Sequence, residues 1–161
     1  MPNETENLVN DFLTNACVTS NVHLVGPCTR DDWKCDAWRV TFQHAGESAS
    51  FDYFTGLGHR SPAPRPWDGG TRPRAGTIMY AELEAMRKPV APGIAGVLWS
   101  LITETSATSQ SFAAWCDELG YDFDSRKTHA MYQACQENSD KLYRIFTAAQ
   151  IRSLSEILQD Y

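Results

Sequence analysis

The chain of 161 residues has no apolar run long enough for a membrane span. Its longest, Ile94 to Ile102, falls far short of the ~20 residues a spanning helix needs. Cations are also scarce, with 14 Lys and Arg against 20 Asp and Glu and a formal net charge of −6. That balance excludes a protein that coats polyphosphate non-specifically, which requires surplus positive charge. It suits a chain whose partner is basic. Internal repeats and low-complexity tracts are absent, as are the compact catalytic signatures G-x-S-x-G and H-E-x-x-H. The beginning, MPNETENLVN, is acidic and lacks the basic and apolar regions of a secretion signal. Five cysteines, an odd number, make a poor disulfide framework, so the expectation is free thiols in a reducing cytoplasm.

What the chain does have is bulk. Five Trp, six Tyr and seven Phe supply the large side chains that disordered sequences lack. The length suits a single domain, 1–161, that buries roughly 70% of its unfolded surface. Three parts are expected within it: an N-terminal helix and antiparallel strands over 1–58, a Pro/Arg-rich loop over 59–76, and a helical part over 77–161.

Leu8, Val9, Phe12 and Leu13 have the spacing of a short amphipathic helix over 5–16. A loosely alternating strand follows over 18–26. Trp38, Val40 and Phe42 alternate with polar neighbours over 37–44, and Phe51, Tyr53 and Thr55 do so over 50–55. With Ala45-Gly46-Glu47 between them, these two runs predict a β-hairpin over 37–55. Ile94, Val97, Leu98, Leu101 and Ile102 form a full helical stripe. Ser111 is placed to cap a second helix that stops at Gly120, and Asp124 or Ser125 to cap a third that displays Met131, Cys135, Leu142 and Ile145. Thr147 and Gln150 have the spacing of a capping box that opens a last helix. Strands first and helices second predict an α+β fold, a small antiparallel sheet packed with a C-terminal helical bundle.

Two stretches carry candidate contact chemistry. The first holds His59, Arg60, Arg65, Trp67, Arg72 and Arg74, with Asp68 the only acid. Arginine forks a phosphate and tryptophan stacks a base, so this loop is the candidate nucleic-acid contact. Gly56 and Gly58 follow a strand as a phosphate-binding loop would. Pro62, Pro64 and Pro66 prevent the helix whose N-terminus makes such a loop an anion site. His59 is the candidate general base, although no nucleophile is paired with it by spacing. The second stretch holds Asp117, Glu118, Asp122 and Asp124 around one interhelical turn. A calcium loop counted from Asp122 would need Gly at its sixth position and Glu at its twelfth, where Lys127 and Gln133 stand. These acids therefore read as a candidate protein contact. Cys28 and Cys35, with Cys17 upstream, are spaced more widely than the knuckle of a zinc site, so no metal or cofactor is expected.

The segments FDYFTGLGHR (51–60) and SFAAWCDELGYDFDSRKTHAMYQACQ (111–136) together resemble a group of short accessory proteins encoded by bacteriophages and integrated prophages. In that group an aromatic strand ends in T-G-x-G-H-R, and a later block reads S-F-x-x-W-C, G-Y-D-x-D-S-R-K and Y-x-x-C. The likeness covers about 50–150 and leaves 1–36 and 61–76 unmatched. The group carries no assigned activity; what the resemblance implies is a genomic context in which small accessory genes frequently encode inhibitors of host proteins, anti-CRISPR and antirestriction proteins among them. The expectation is therefore a non-enzymatic protein that inhibits a host defence complex through contact with a host protein or ribonucleoprotein. The alternatives are a nucleic-acid-binding accessory protein using the Arg/Trp loop and a small enzyme built on His59.

Overall fold

A computed structural model describes residues 3–30, 33–55 and 89–161, with the side chains of residues 28–30, 33 and 34 left out. The α+β expectation is met: a three-stranded antiparallel sheet in the order β1-β2-β3, with five helices among the described residues. In chain order these are α1 (Glu4–Asn15), β1 (Thr19–Arg30), β2 (Trp33–His44), β3 (Glu47–Thr55), α2 (Ile94–Ala107), α3 (Phe112–Leu119), α4 (Arg126–Ile145) and α5 (Ala148–Ile157). Spatial proximity divides the chain into two compact units. The larger comprises Met1–Val22, Arg39–Phe51 and Pro92–Tyr161; the smaller comprises His23–Trp38 and Asp52–Ala91.

In the larger unit, α1 starts where the Asn3 side chain accepts the Glu6 amide at 2.7 Å. It ends in a Schellman arrangement: the Val18 amide donates to the Leu13 carbonyl at 2.9 Å and the Cys17 amide to the Thr14 carbonyl at 3.1 Å. Leu13 and Val18 are both buried, which supplies the apolar contact that accompanies this cap. Cys17 takes the left-handed position, φ 58°, that glycine usually fills.

α2 is the central helix and packs against α1, α4 and α5. Eight of its residues from Ile94 to Thr105 are buried, so it is apolar on most sides, as a helix surrounded by neighbours must be. Its N-cap, Gly93, has no side chain to offer. Glu6 does that work from α1: its carboxylate accepts the amides of Ile94 at 2.8 Å and Ala95 at 3.0 Å. A carboxylate at this position also meets the positive end of the helix dipole. A Cβ on residue 93 would fall 2.8 Å from Glu6 Oε2, so glycine lets the carboxylate approach. The capping box of α5 forms as its spacing predicts, with the Thr147 amide donating to Gln150 and the Gln150 amide to Thr147.

β2 and β3 are joined by Ala45 and Gly46 alone, both left-handed at φ 48° and 84°, the signature of a type I′ turn. A two-residue loop places Thr41 opposite Ser50, and their hydroxyls meet at 2.8 Å. The same register puts Val40, Phe42, Ala49 and Phe51 on one face, and all four are buried. Phe42 contacts the Phe51 and Phe146 rings edge-on, with centroids 6.1 and 5.9 Å away. Lys141 donates to the Ser50 carbonyl at 3.2 Å and covers the Phe51 ring.

In the smaller unit Cys35, Asp36 and Trp38 are buried, and the Trp38 indole donates to Thr55 at 2.8 Å. β1 and β2 run past the expected ends at residue 26 and residue 37. Gly26 and Pro27 do not stop β1 because it is an edge strand, where a proline without an N–H is tolerated. Two further expectations change. Cys35 is disulfide-bonded rather than a free thiol; Cys17, Cys116 and Cys135 are free. On α4, Met131 and Cys135 are only half-buried, whereas Leu142 and Ile145 lie in the core.

Candidate functional site

The four acids predicted as a contact lie at the corner between α3 and α4, in the larger unit. α3 opens with the Ser111 hydroxyl accepting the Ala114 amide at 3.2 Å. It closes at Gly120, left-handed at φ 71°, with the Tyr121 amide donating to the Cys116 carbonyl at 3.0 Å. The Asp122 carboxylate then accepts the Asp124 amide at 3.0 Å, and the Asp122 carbonyl accepts the Ser125 amide. Of the two candidate caps for α4, Ser125 takes the role, accepting the Thr128 amide at 3.4 Å. Asp124 is thereby left outside the helix with its carboxylate exposed.

Asp117, Glu118, Asp122 and Asp124 are all exposed. Asp117 and Asp122 lie close enough to the buried Cys116 to act on its thiol. Burial raises its pKa first, and the two negative charges raise it further. Glu118 accepts a hydrogen bond from the Gln110 amide group. Arg126 and Lys127 follow directly, so these six side chains together retain a net −2.

Sequence reasoning missed the aromatic cluster beneath these acids. Phe112 stacks on His129 with centroids 4.1 Å apart and meets Phe123 and Tyr132 at 5.2 Å each. Trp115, buried, touches Tyr121 at 5.1 Å and Tyr132 at 5.2 Å. The Tyr132 hydroxyl donates to the Gln110 carbonyl at 2.7 Å and ties α4 to the residue just before α3. Leu119, Tyr121 and Phe123 remain exposed, Phe123 by 53%. The signal was available: Phe112 and Trp115, like His129 and Tyr132, stand three apart on one helix, and Tyr121 and Phe123 lie in the turn between them.

Elsewhere in the larger unit, a shallow cavity of about 400 Å³ is bordered by Cys17, His44 and Glu47, with His44 Nδ1 3.3 Å from the Cys17 carbonyl. Between α2 and α4, burial raises the pKa of Glu104, and a hydrogen bond from Asn138 opposes the shift. Burial, then the Glu104 charge, pushes the Cys135 thiol up to about 11. Among the described residues no group of three or more His, Cys, Asp or Glu could hold a metal ion. No helix among them is long and apolar enough to cross a membrane. The candidate basic and catalytic positions His59, Arg60, Arg65, Trp67, Arg72 and Arg74 lie outside the described residues.

The chain matches no protein-family model, no curated protein and no solved structure.

Proposed function

We propose that the chain is a non-enzymatic binding protein that contacts a basic surface of a host protein or ribonucleoprotein through the α3–α4 corner. One observation carries this reading. Leu119, Tyr121 and Phe123 are exposed among four exposed acids, on a corner held by two helix caps and a stacked aromatic base. Aromatic side chains are enriched where proteins meet, and anchors on a preorganised base lose little conformational freedom on binding. The surrounding acids add long-range attraction for a basic partner. The resemblance to phage accessory proteins directs the reading to a defence complex in the cytoplasm of a bacterial host, with a CRISPR effector as the leading candidate.

The test is phage plating on a host with an active CRISPR or restriction system that expresses the chain. Wild type is expected to restore plating. A variant combining Asp117→Lys, Glu118→Lys, Asp122→Asn and Asp124→Lys is expected to lose that effect while unfolding at an unchanged temperature. Asn at position 122 keeps the oxygen that accepts the Asp124 amide, which protects the turn. Phe123→Ala alone is expected to weaken binding to the purified effector by about tenfold, the scale of a modest interface anchor. Full restoration of plating by the charge variant would remove the corner from the mechanism.

A further inference from the structure

A second cavity, of about 410 Å³, lies in the larger unit where the C-terminal end of α2 meets the middle of α4. Thr105, Thr108 and Ser109 line it from one side and Gln136, Ser139, Asp140 and Tyr143 from the other. Its size is within the range of small-molecule sites.

The hydrogen-bond directions set the chemistry of the Thr105, Thr108 and Ser109 wall. Thr105 donates its hydroxyl hydrogen to the Leu101 carbonyl at 2.9 Å. Thr108 donates to the Glu104 carbonyl at 2.9 Å, and Ser109 to the Ser106 carbonyl at 2.7 Å. A hydroxyl has one hydrogen, so once it is committed to the backbone the oxygen has only lone pairs left for a ligand. The Asp140 carboxylate is likewise an acceptor, and among the described residues no hydrogen bond or ion pair engages it. Lys141 beside it is turned to the Ser50 carbonyl. Arg144, one turn further along α4, makes no ion pair with it. The last turn of α2 carries no basic residue, so the negative end of that helix dipole is also uncompensated. The half-exposed Tyr143 ring adds a face on which a flat cation can lie.

We propose that this cavity binds an alkylguanidinium cation. Such a group has donors only, in a planar fork, and so complements the acceptor oxygens of Thr105, Thr108 and Ser109, the Asp140 carboxylate, the side-chain oxygens of Gln136 and Ser139 and an aromatic face. The site shares no residue with the α3–α4 corner and stands whether or not that corner binds a partner.

Titration of the full chain, followed by the backbone amide NMR signals, tests it with two probes. Agmatine represents a free guanidinium metabolite, and N-acetyl-arginine amide represents an arginine side chain in a peptide. At least one is expected to give saturable shifts centred on Thr108, Ser109, Ser139 and Asp140. Tighter binding of the second identifies a peptide source, and tighter binding of the first a free small molecule. Asp140→Asn keeps the shape and removes the charge, and is expected to weaken binding about tenfold, the loss of one charge-assisted hydrogen bond. Tyr143→Leu is expected to weaken it less. Shifts spread over the acidic surface without saturation would overturn the proposal. So would saturable shifts centred on Asp117, Glu118, Asp122 and Asp124, or affinity unchanged in Asp140→Asn.

Discussion

Ala45 occupies a backbone conformation, φ 48°, that a β-carbon makes costly. The left-handed region costs an ordinary residue about 1 kcal/mol or more, and asparagine is among the residues that enter it most readily. Ala45→Asn is therefore expected to stabilise the protein by about 1 kcal/mol, read as a higher urea midpoint with an unchanged slope. The thiols differ at the same scale. Cys17 is exposed, Cys116 is buried beside two acids, and Cys135 is held near 11 by burial and the Glu104 charge. Thiolate is the reactive form, so native protein treated with iodoacetamide at neutral pH should be labelled at Cys17 first. Peptide mapping should find Cys116 modified only after unfolding and the half-buried Cys135 modified far more slowly than Cys17 in the folded protein. Rapid labelling of Cys135 in the folded protein would contradict its burial against Glu104.

Between elements, the α2–α4 contact is sensitive to protons. Burial raises the Glu104 pKa above its ordinary 4.5, so over the range just above that value the folded state holds more protons than the unfolded one. Stability linked to this group is fully present below pH 4.5 and is lost as pH rises through the folded pKa. Glu104→Gln keeps an oxygen for Asn138 and removes the charge. It is expected to be more stable than wild type at pH 7, with the difference vanishing near pH 4. The same change should lower the Cys135 pKa, because it removes one of the two causes that raise it. Urea titrations at the two pH values check the first effect, and the pH dependence of Cys135 alkylation checks the second. Equal stability of the two proteins at both pH values would show that the Glu104 charge is solvated.

At the scale of the molecule, the Glu6 carboxylate joins residues 88 apart in sequence. It satisfies two amides at the head of the central helix, which its own N-cap glycine leaves without a side-chain partner. Glu6→Ala removes both bonds and the charge facing the dipole, an expected loss of about 1–3 kcal/mol from bonds of this kind. Glu6→Gln keeps one acceptor oxygen and should lose less. Urea unfolding of the two variants separates the charge from the hydrogen bonds.

Local signals carried the elements. The stripe from Ile94 to Ile102, the stop at Gly120, the capping box at Thr147 and the alternation around Ala45-Gly46 lie within a few residues of one another, so the sequence shows them directly. The four acids were legible for the same reason, since they crowd one turn. The aromatic cluster beneath them was not, because Phe112 meets His129 only after Gly120 reverses the chain and Ser125 restarts it. The Cys35 disulfide was hidden as well: an odd cysteine count constrains the total and not any particular sulfur. By itself the sequence determined the helices, the hairpin, the α+β class and the place of the acidic turn, all set by periodicity and caps. Only the tertiary structure decided that Glu6 caps α2, that aromatic rings support the acids, and that the end of α2 and Asp140 of α4 border one polar cavity. Those depend on which distant atoms come within hydrogen-bond or van der Waals reach, and residue spacing along the chain does not encode it.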